Sequence, residues 1–177
     1  MKQVALYGGS FDPPHIGHQA IIEALKKLNF LDEIIVMPTF LNPFKDNSFT
    51  SAPLRLRWLR EMFLEDIKVQ VSAYESDAGR KVPAIESVKH LLETYDKVYL
   101  VVGADNLATL HKWYKYDELK DLVTFIIASR DGIEVPDKFL TLEINEEISS
   151  SSLRKKIKQD KLPKKVSQDI LKEYNER

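Results

Sequence analysis

Val4-Ala5-Leu6-Tyr7-Gly8-Gly9-Ser10-Phe11-Asp12-Pro13-Pro14-His15-Ile16-Gly17-His18 reads as a short apolar strand, a glycine pair, a proline-stiffened turn and a helix start bearing two histidines. Glycines where a buried strand ends let backbone N–H groups approach a ligand that any Cβ would push away. Pro13 and Pro14 fix their own φ and press the preceding residue into an extended shape, which holds the loop open. Beyond Ile16 the apolar residues Ile21, Leu25 and Leu28 fall at helical spacing, so His15 and His18 share one face of a first turn. Unpaired N–H groups and the positive end of the helix dipole gather there, a spot that suits an anion such as a phosphate. The H-x-x-H spacing also fits a plain helix surface or part of a metal site, but zinc needs a third and usually a fourth ligand. The chain has no cysteine, and its two other histidines, His90 and His111, fall in different segments. Neither G-x-G-x-x-G nor G-x-x-x-x-G-K-[ST] occurs, so two familiar phosphate loops are absent.

Outward from this stretch, strands and helices alternate. Residues 33–38 and 97–102 are continuous apolar runs too short for helices, and 67–71 alternates as a strand with one wetter face does. Residues 123–128 make another apolar strand, and 139–144 a shorter last one. Helical spacing marks Leu54, Trp58 and Met62, then Ile85, Val88, Leu92 and Tyr95, then 117–122. Residues 74–83 read as charged and irregular, and a short helical piece leads to Trp113. Ser149 to Ser152 would cap a helix holding Leu153 and Ile157, and Val166, Ile170, Leu171 and Tyr174 mark the C-terminal one. This order predicts an α/β fold: a Rossmann-like, doubly wound, mostly parallel sheet with helices on both faces and a C-terminal helical segment. Ligands of such sheets sit beyond the carboxyl ends of the strands, and three strands here end on Gly8-Gly9-Ser10, Gly103-Ala104-Asp105 and Ser129-Arg130.

The totals bound the class. A chain of 177 residues most simply forms one domain, 1–177, with 44% apolar and 30% charged residues as in a soluble globular protein. Its net charge of −1 supplies no basic field for nucleic acid. No charged lead with an apolar stretch opens the chain and no run is long enough to span a bilayer, so the expectation is a cytoplasmic protein without membrane contact. The lysines from Lys155 to Lys165 read as a solvated helix face, and a homo-oligomer is left open.

Gly8-Gly9-Ser10-Phe11-Asp12-Pro13-Pro14-His15-Ile16-Gly17-His18 resembles the G-G-[ST]-F-D-P-x-H-x-G-H signature of the nucleotidyltransferase superfamily, which moves adenylyl or cytidylyl groups. Ile148-Ser149-Ser150-Ser151-Ser152-Leu153-Arg154 resembles its I-S-S-[ST]-x-[IL]-R motif. By itself that stretch reads either as a generously capped helix with a surface arginine or as a grip on pyrophosphate. The segment Gly103-Ala104-Asp105-Asn106-Leu107 with Trp113 is similar to the G-x-D-x-L…W segment of the nicotinate mononucleotide adenylyltransferase family. Two departures stand out: Phe44 occupies the family's histidine position in P-P-H-K, and Ala84 stands where the family has the threonine of S-Y-T.

The resemblance implies transfer of an adenylyl group from ATP, accompanied by Mg²⁺ on its phosphates, to nicotinate mononucleotide, a step of NAD biosynthesis. It implies catalytic roles for His15, His18, Lys45 and Arg154. It also implies that Gly8, Gly9, Ser10, Phe11, His15, Gly17, His18, Gly103, Asp105, Arg130, Ile148, Ser149, Ser150 and Arg154 bind ATP. Ser10, Lys45, Ala84, Trp113 and Tyr114 would then face the mononucleotide, with Trp113 stacked on the cationic pyridinium ring, an attraction a tryptophan face supplies. On spacing alone Trp113 would be an ordinary half-buried aromatic. A phosphate oxygen is the nucleophile, largely ionised at pH 7 because a phosphate's second pKa is about 6, so no general base is required. Competing readings are phosphopantetheine adenylyltransferase, which shares both end motifs, and a domain that senses nucleotides without turnover. A dehydrogenase is disfavoured by the missing G-x-G-x-x-G.

Overall fold

The structure, a computed structural model, describes residues 1–40, 50–129, 133–144, 154 and 158–175. Its centre is a six-stranded sheet built from β1 (Gln3–Gly9), β2 (Glu33–Pro38), β3 (Val69–Val71), β4 (Lys97–Gly103), β5 (Val123–Ser129) and β6 (Leu140–Glu143). The strands lie in the order β3-β2-β1-β4-β5-β6, and every neighbouring pair is parallel. Burial on both faces is why β1, β2, β4 and β5 are near-continuous apolar runs rather than alternating ones.

Alternate residues of β1, β2, β4 and β5 feed two separate cores. Ala5, Tyr7, Ile34, Val36, Tyr99 and Val101 point to one face. There they meet Ile22 and Leu25 of α1 (Ile16–Lys26), Trp58, Leu59 and Met62 of α2 (Ala52–Met62), and the helix at the chain's end. Val4, Leu6, Ile35, Met37, Val98 and Leu100 point to the other. Their partners are Ile85, Val88 and Leu91 of α4 (Ala84–Leu92), Leu110 of a 3₁₀ helix (Ala104–Lys112) and Leu119 of α5 (Tyr116–Leu122). Helices therefore cover both faces, as the alternating pattern predicts. The strand order reverses between β1 and β4, so their connections leave to opposite sides and a crevice opens beyond their carboxyl ends.

Local chemistry sets several helix ends. Ser51 caps α2, its Oγ accepting from the Leu54 amide at 3.4 Å, and Pro53 follows in the first turn, where its missing N–H costs nothing. Lys115, at φ 53°, turns the chain between the 3₁₀ helix and α5. The C-terminal helix, α6 (Ser167–Asn175), puts Ile170 and Tyr174 into the first core and anchors Asp169 on Trp58 Nε1 (2.6 Å) and Arg57 (2.5 Å) of α2.

Three expectations need correction. The stretch 74–83 is not wholly irregular, because Tyr74–Asp77 forms one helical turn, α3. The strand expected over 67–71 begins only at Val69, with Ile67 fully in solvent, since the ladder to β2 starts at the Ile34–Val69 pair. The expected last strand loses a residue at each end, to Leu140–Glu143. The helix read over Ser149 to Ile157 lies outside the described residues apart from Arg154. No helix among the described residues is long and apolar enough to cross a membrane.

Candidate active site

The signature loop leaves β1 at Gly9 and reaches α1 at His15. Phe11 takes the left-handed conformation, φ 50°, which costs a non-glycine residue on the order of 1 kcal/mol or more. Burial of its ring offsets that cost: it meets Tyr7 edge-on at 5.4 Å and His18 at 4.7 Å. A Cβ on Gly9 would come within 3.3 Å of the same ring, so the glycine clears space for the phenyl group as well as for a ligand.

The two histidines cap their own helix. His15 Nδ1 accepts from the Gly17 amide at 3.0 Å, and His18 Nδ1 accepts from the His15 amide at 3.0 Å. Their rings stack, 3.7 Å between centroids and 18° from parallel. The shared helix face is therefore as the spacing predicts, but two of the amide donors expected to greet an anion are taken by imidazoles instead. An Nδ1 that accepts carries no proton, so each neutral ring holds its hydrogen on Nε2. The imidazoles thus replace consumed amides with a pair of side-by-side N–H donors. His15 is buried and His18 half-buried, which keeps both rings in fixed orientation.

Arg154, the arginine of the carboxyl-end signature, reaches this loop. It donates from Nη1 to the Asp12 carbonyl, across 142 positions of sequence and only three residues before His15. The Asp12 carboxylate is buried and accepts from the Thr50 hydroxyl (2.7 Å), the Thr50 amide (3.1 Å) and the Tyr174 hydroxyl. Behind the loop lies Arg55, wholly buried, which sequence reading passed over. Its guanidinium donates to the carbonyls of Ser10 (2.7 Å), Thr39 (2.8 Å), Phe40 (3.0 Å) and Thr50 (3.3 Å). Burial lowers its pKa and the Asp12 charge opposes that, leaving a cation. Burial and the bond to Asp12 both raise Tyr174, so its phenol stays protonated as a donor.

A second group of predicted residues lies on the other sheet face. Gly103 ends β4, and a Cβ there would sit 2.7 Å from Asp105 Oδ1, so the glycine lets this side chain fold back over the strand end. Ala84 opens α4 behind an extended Pro83 that makes no side-chain cap, and Trp113 ends the 3₁₀ helix; both pack against the second core. Tyr114 is 60% exposed with Lys115 Nζ 5.5 Å from its ring centre. Gly8 is exposed, Ser10 half-buried and Gly17 buried along the first loop. Thr39 joins them unexpectedly. Its amide extends the ladder by donating to the Gly9 carbonyl, so strand alternation puts it on the side of Ile35 and Met37, with Ala84 and Trp113. Its hydroxyl is buried without a hydrogen-bond partner among the described residues, a state that a ligand's polar atom would relieve. The signal for it was available: a polar residue beside the glycine pair at a strand's carboxyl end. Lys45, Arg130, Ile148, Ser149 and Ser150 lie outside the described residues.

Among the described residues no three His, Asp or Glu side chains gather to hold a metal ion, and the one carboxylate of the loop, Asp12, is committed to Thr50 and Tyr174.

A crevice at the reversal of a 3-2-1-4-5-6 sheet, floored by a glycine pair and edged by paired imidazoles, is the arrangement of a nucleotide-handling α/β protein. The sequence profile of the cytidylyltransferase-like family matches residues 6–156. A Sulfurimonas denitrificans protein named "Probable nicotinate-nucleotide adenylyltransferase" is 61% identical over 153 residues, covering 86% of this chain and 84% of its own. A Campylobacter fetus protein of the same name is 43% identical over 176 residues, 98% of this chain and 97% of the other. The chain belongs to the cytidylyltransferase-like family, in the branch of the nicotinate-nucleotide adenylyltransferases. Its fold matches that of the Plasmodium falciparum nicotinic acid mononucleotide adenylyltransferase complexed with NaAD, with a TM-score of 0.79 at 23% identity over 99% of this chain and 97% of the other.

Proposed function

We propose that the chain joins ATP and nicotinate mononucleotide, giving nicotinate adenine dinucleotide and pyrophosphate in the synthesis of NAD. One observation carries this reading: Arg154, the arginine of the second signature, reaches the Asp12 carbonyl in the first, next to the stacked His15–His18 pair.

In the proposed reaction an oxygen of the mononucleotide's 5′-phosphate attacks the α-phosphorus of ATP. A P–O bond forms there as the bond to the bridging oxygen breaks, and pyrophosphate leaves with the electron pair. Both reactants are anions, so the work of the site is alignment and neutralisation. The two Nε2–H donors face oxygens that gain charge, and Arg154 with Lys45 and Ser150 receive the leaving pyrophosphate. Gly8, Gly9 and Ser10 let the nucleotide lie against the end of β1, and Gly103 with Asp105 the adenosine part. Ala84, Trp113 and Tyr114 form the side for the pyridine nucleotide, and Thr39 brings a hydroxyl to it. By this reading the protein works in the cytoplasm.

Pyrophosphate release is to be measured with ATP and each of three acceptors offered separately: nicotinate mononucleotide, nicotinamide mononucleotide and phosphopantetheine. The expected result is fastest release with the first. Release with phosphopantetheine alone would overturn the reading, and tight ATP binding with no release from any acceptor would leave a nucleotide sensor.

A further inference from the structure

Arg55 and Tyr174 are themselves assigned no contact with substrate, yet both bond to the loop whose residues are. Arg55 lies on α2 and Tyr174 on α6, and each reaches the loop between β1 and α1. Arg55 Nη1 donates to the Ser10 and Thr39 carbonyls, Nη2 to that of Phe40 and Nε to that of Thr50. Thr50 and Tyr174 then hold Asp12, two residues along from Ser10, and Arg154 takes the Asp12 carbonyl. A guanidinium with no exposed surface, shared among four backbone carbonyls, is a costly way to stabilise a fold. Apolar packing would fill the same space, but it would not fix the direction of those carbonyls.

We propose that Arg55 and Tyr174 are positioning residues for adenylyl transfer, a buried polar frame with Asp12 and Thr50 that sets where the His15–His18 pair meets the triphosphate. The inference rests on the adenylyltransferase reading. The frame grips residues 10–12 from two helices, so the backbone enters α1 at one angle, and the imidazole caps inherit that angle. Lysine cannot replace Arg55, because one ammonium nitrogen cannot reach carbonyls that the planar fork meets through three nitrogens. Phenylalanine at position 174 keeps the ring in the core and removes only the hydroxyl on Asp12.

The test compares the full chain with Tyr174→Phe, Arg55→Lys and, as a control, Ile170→Ala. Ile170 is wholly buried one helical turn before Tyr174, so its truncation loosens α6 without touching the frame. Steady-state rates with ATP and nicotinate mononucleotide are measured where near-UV circular dichroism shows each protein folded. Misplacing reacting groups by about 1 Å costs roughly 100-fold. The expected result is therefore a fall in kcat of about 10-fold for Tyr174→Phe and about 100-fold for Arg55→Lys, with both KM values moved less than about threefold. Ile170→Ala should keep wild-type kcat despite a lower Tm. Imidazole nitrogen resonances in the free protein supply a readout independent of turnover, and only four histidines need assignment. The Nδ1-acceptor, Nε2–H pattern of His15 and His18 should shift in both frame variants and stay fixed in the control. Wild-type kcat or unshifted imidazoles in Tyr174→Phe would overturn the proposal, and that variant decides alone if Arg55→Lys does not fold. If the wild type releases no pyrophosphate, the adenylyl-transfer reading has failed and the imidazole spectra decide whether the frame exists.

Discussion

His18 does two jobs with its two nitrogens, and substitutions can separate them. Nδ1 accepts the His15 amide and closes the reciprocal cap of α1, while Nε2 carries the proton that we propose is offered to substrate. His18→Ala loses both, and we expect kcat to fall by about 100-fold or more, together with about 1 kcal/mol of stability. His18→Gln keeps an acceptor at the third helical position, so its stability should return to within about 0.5 kcal/mol of wild type while the rate stays low. Urea unfolding beside pyrophosphate release measures both; a rate that recovers with stability would reduce the imidazole to a cap. Thr39 gives the opposite case. Its hydroxyl is buried without a partner among the described residues, so Thr39→Val should leave the free protein equally stable or more so, by up to about 1 kcal/mol. If that hydroxyl serves the mononucleotide, the same change raises its KM by about fivefold to tenfold, the worth of one hydrogen bond. A KM equal to wild type would return Thr39 to the scaffold.

The start of α4 is where we propose that the acceptor is chosen. Pro83 is extended, gives no side-chain cap, and leaves the amides that follow it to other partners. A nicotinate carboxylate is an apt partner for such amides, and an uncharged carboxamide less so. Ala84 has no hydroxyl to offer, so under the proposed function selection here would fall on the backbone. Ala84→Thr should therefore raise the ratio of kcat/KM for nicotinate over nicotinamide mononucleotide by about tenfold, with an unchanged or smaller ratio telling against this helix end. Elements like α4 were legible because their apolar spacing is long and regular, and the strands because burial on both faces leaves unbroken apolar runs. Residues 33–38 match β2 to the residue. Less legible was whatever depends on a contact distant in sequence. Nothing local marks Arg55 as buried among four carbonyls, since an arginine in a helix with Arg57 and Arg60 reads as surface. Phe11 in the left-handed region is equally silent, because Tyr7 and His18 hold it there. The single turn of α3 is too short for any periodicity to show.

The pH dependence of the whole molecule's stability has an unusual owner. Glu75, on α3, is 6% exposed, and its carboxylate accepts from the Ser87 hydroxyl at 2.7 Å. Burial pushes its carboxyl up from 4.5 to about 7; the Ser87 bond works against this and the nearby Glu86, itself paired with Arg80, adds to it. Between those two values the folded protein keeps a proton that the unfolded chain has released. Its contribution is thus fully present below about pH 4.5 and is lost as pH rises through about 7. A rise of that size corresponds to about 3 kcal/mol at most. Asp169 acts at the other end, where its bonds from Trp58 and Arg57 outweigh burial and lower its pKa. What it contributes is present above its ordinary 3.8 and lost as pH falls through the folded value. Stability should accordingly peak on the acid side of neutrality. Glu75→Gln removes the first titration and keeps an acceptor for Ser87, so its advantage over wild type should grow by about 2–3 kcal/mol between pH 5 and pH 8. Urea unfolding of both proteins across that range reads the difference directly, and two curves that stay parallel would mean that Glu75 is already ionised in the folded state.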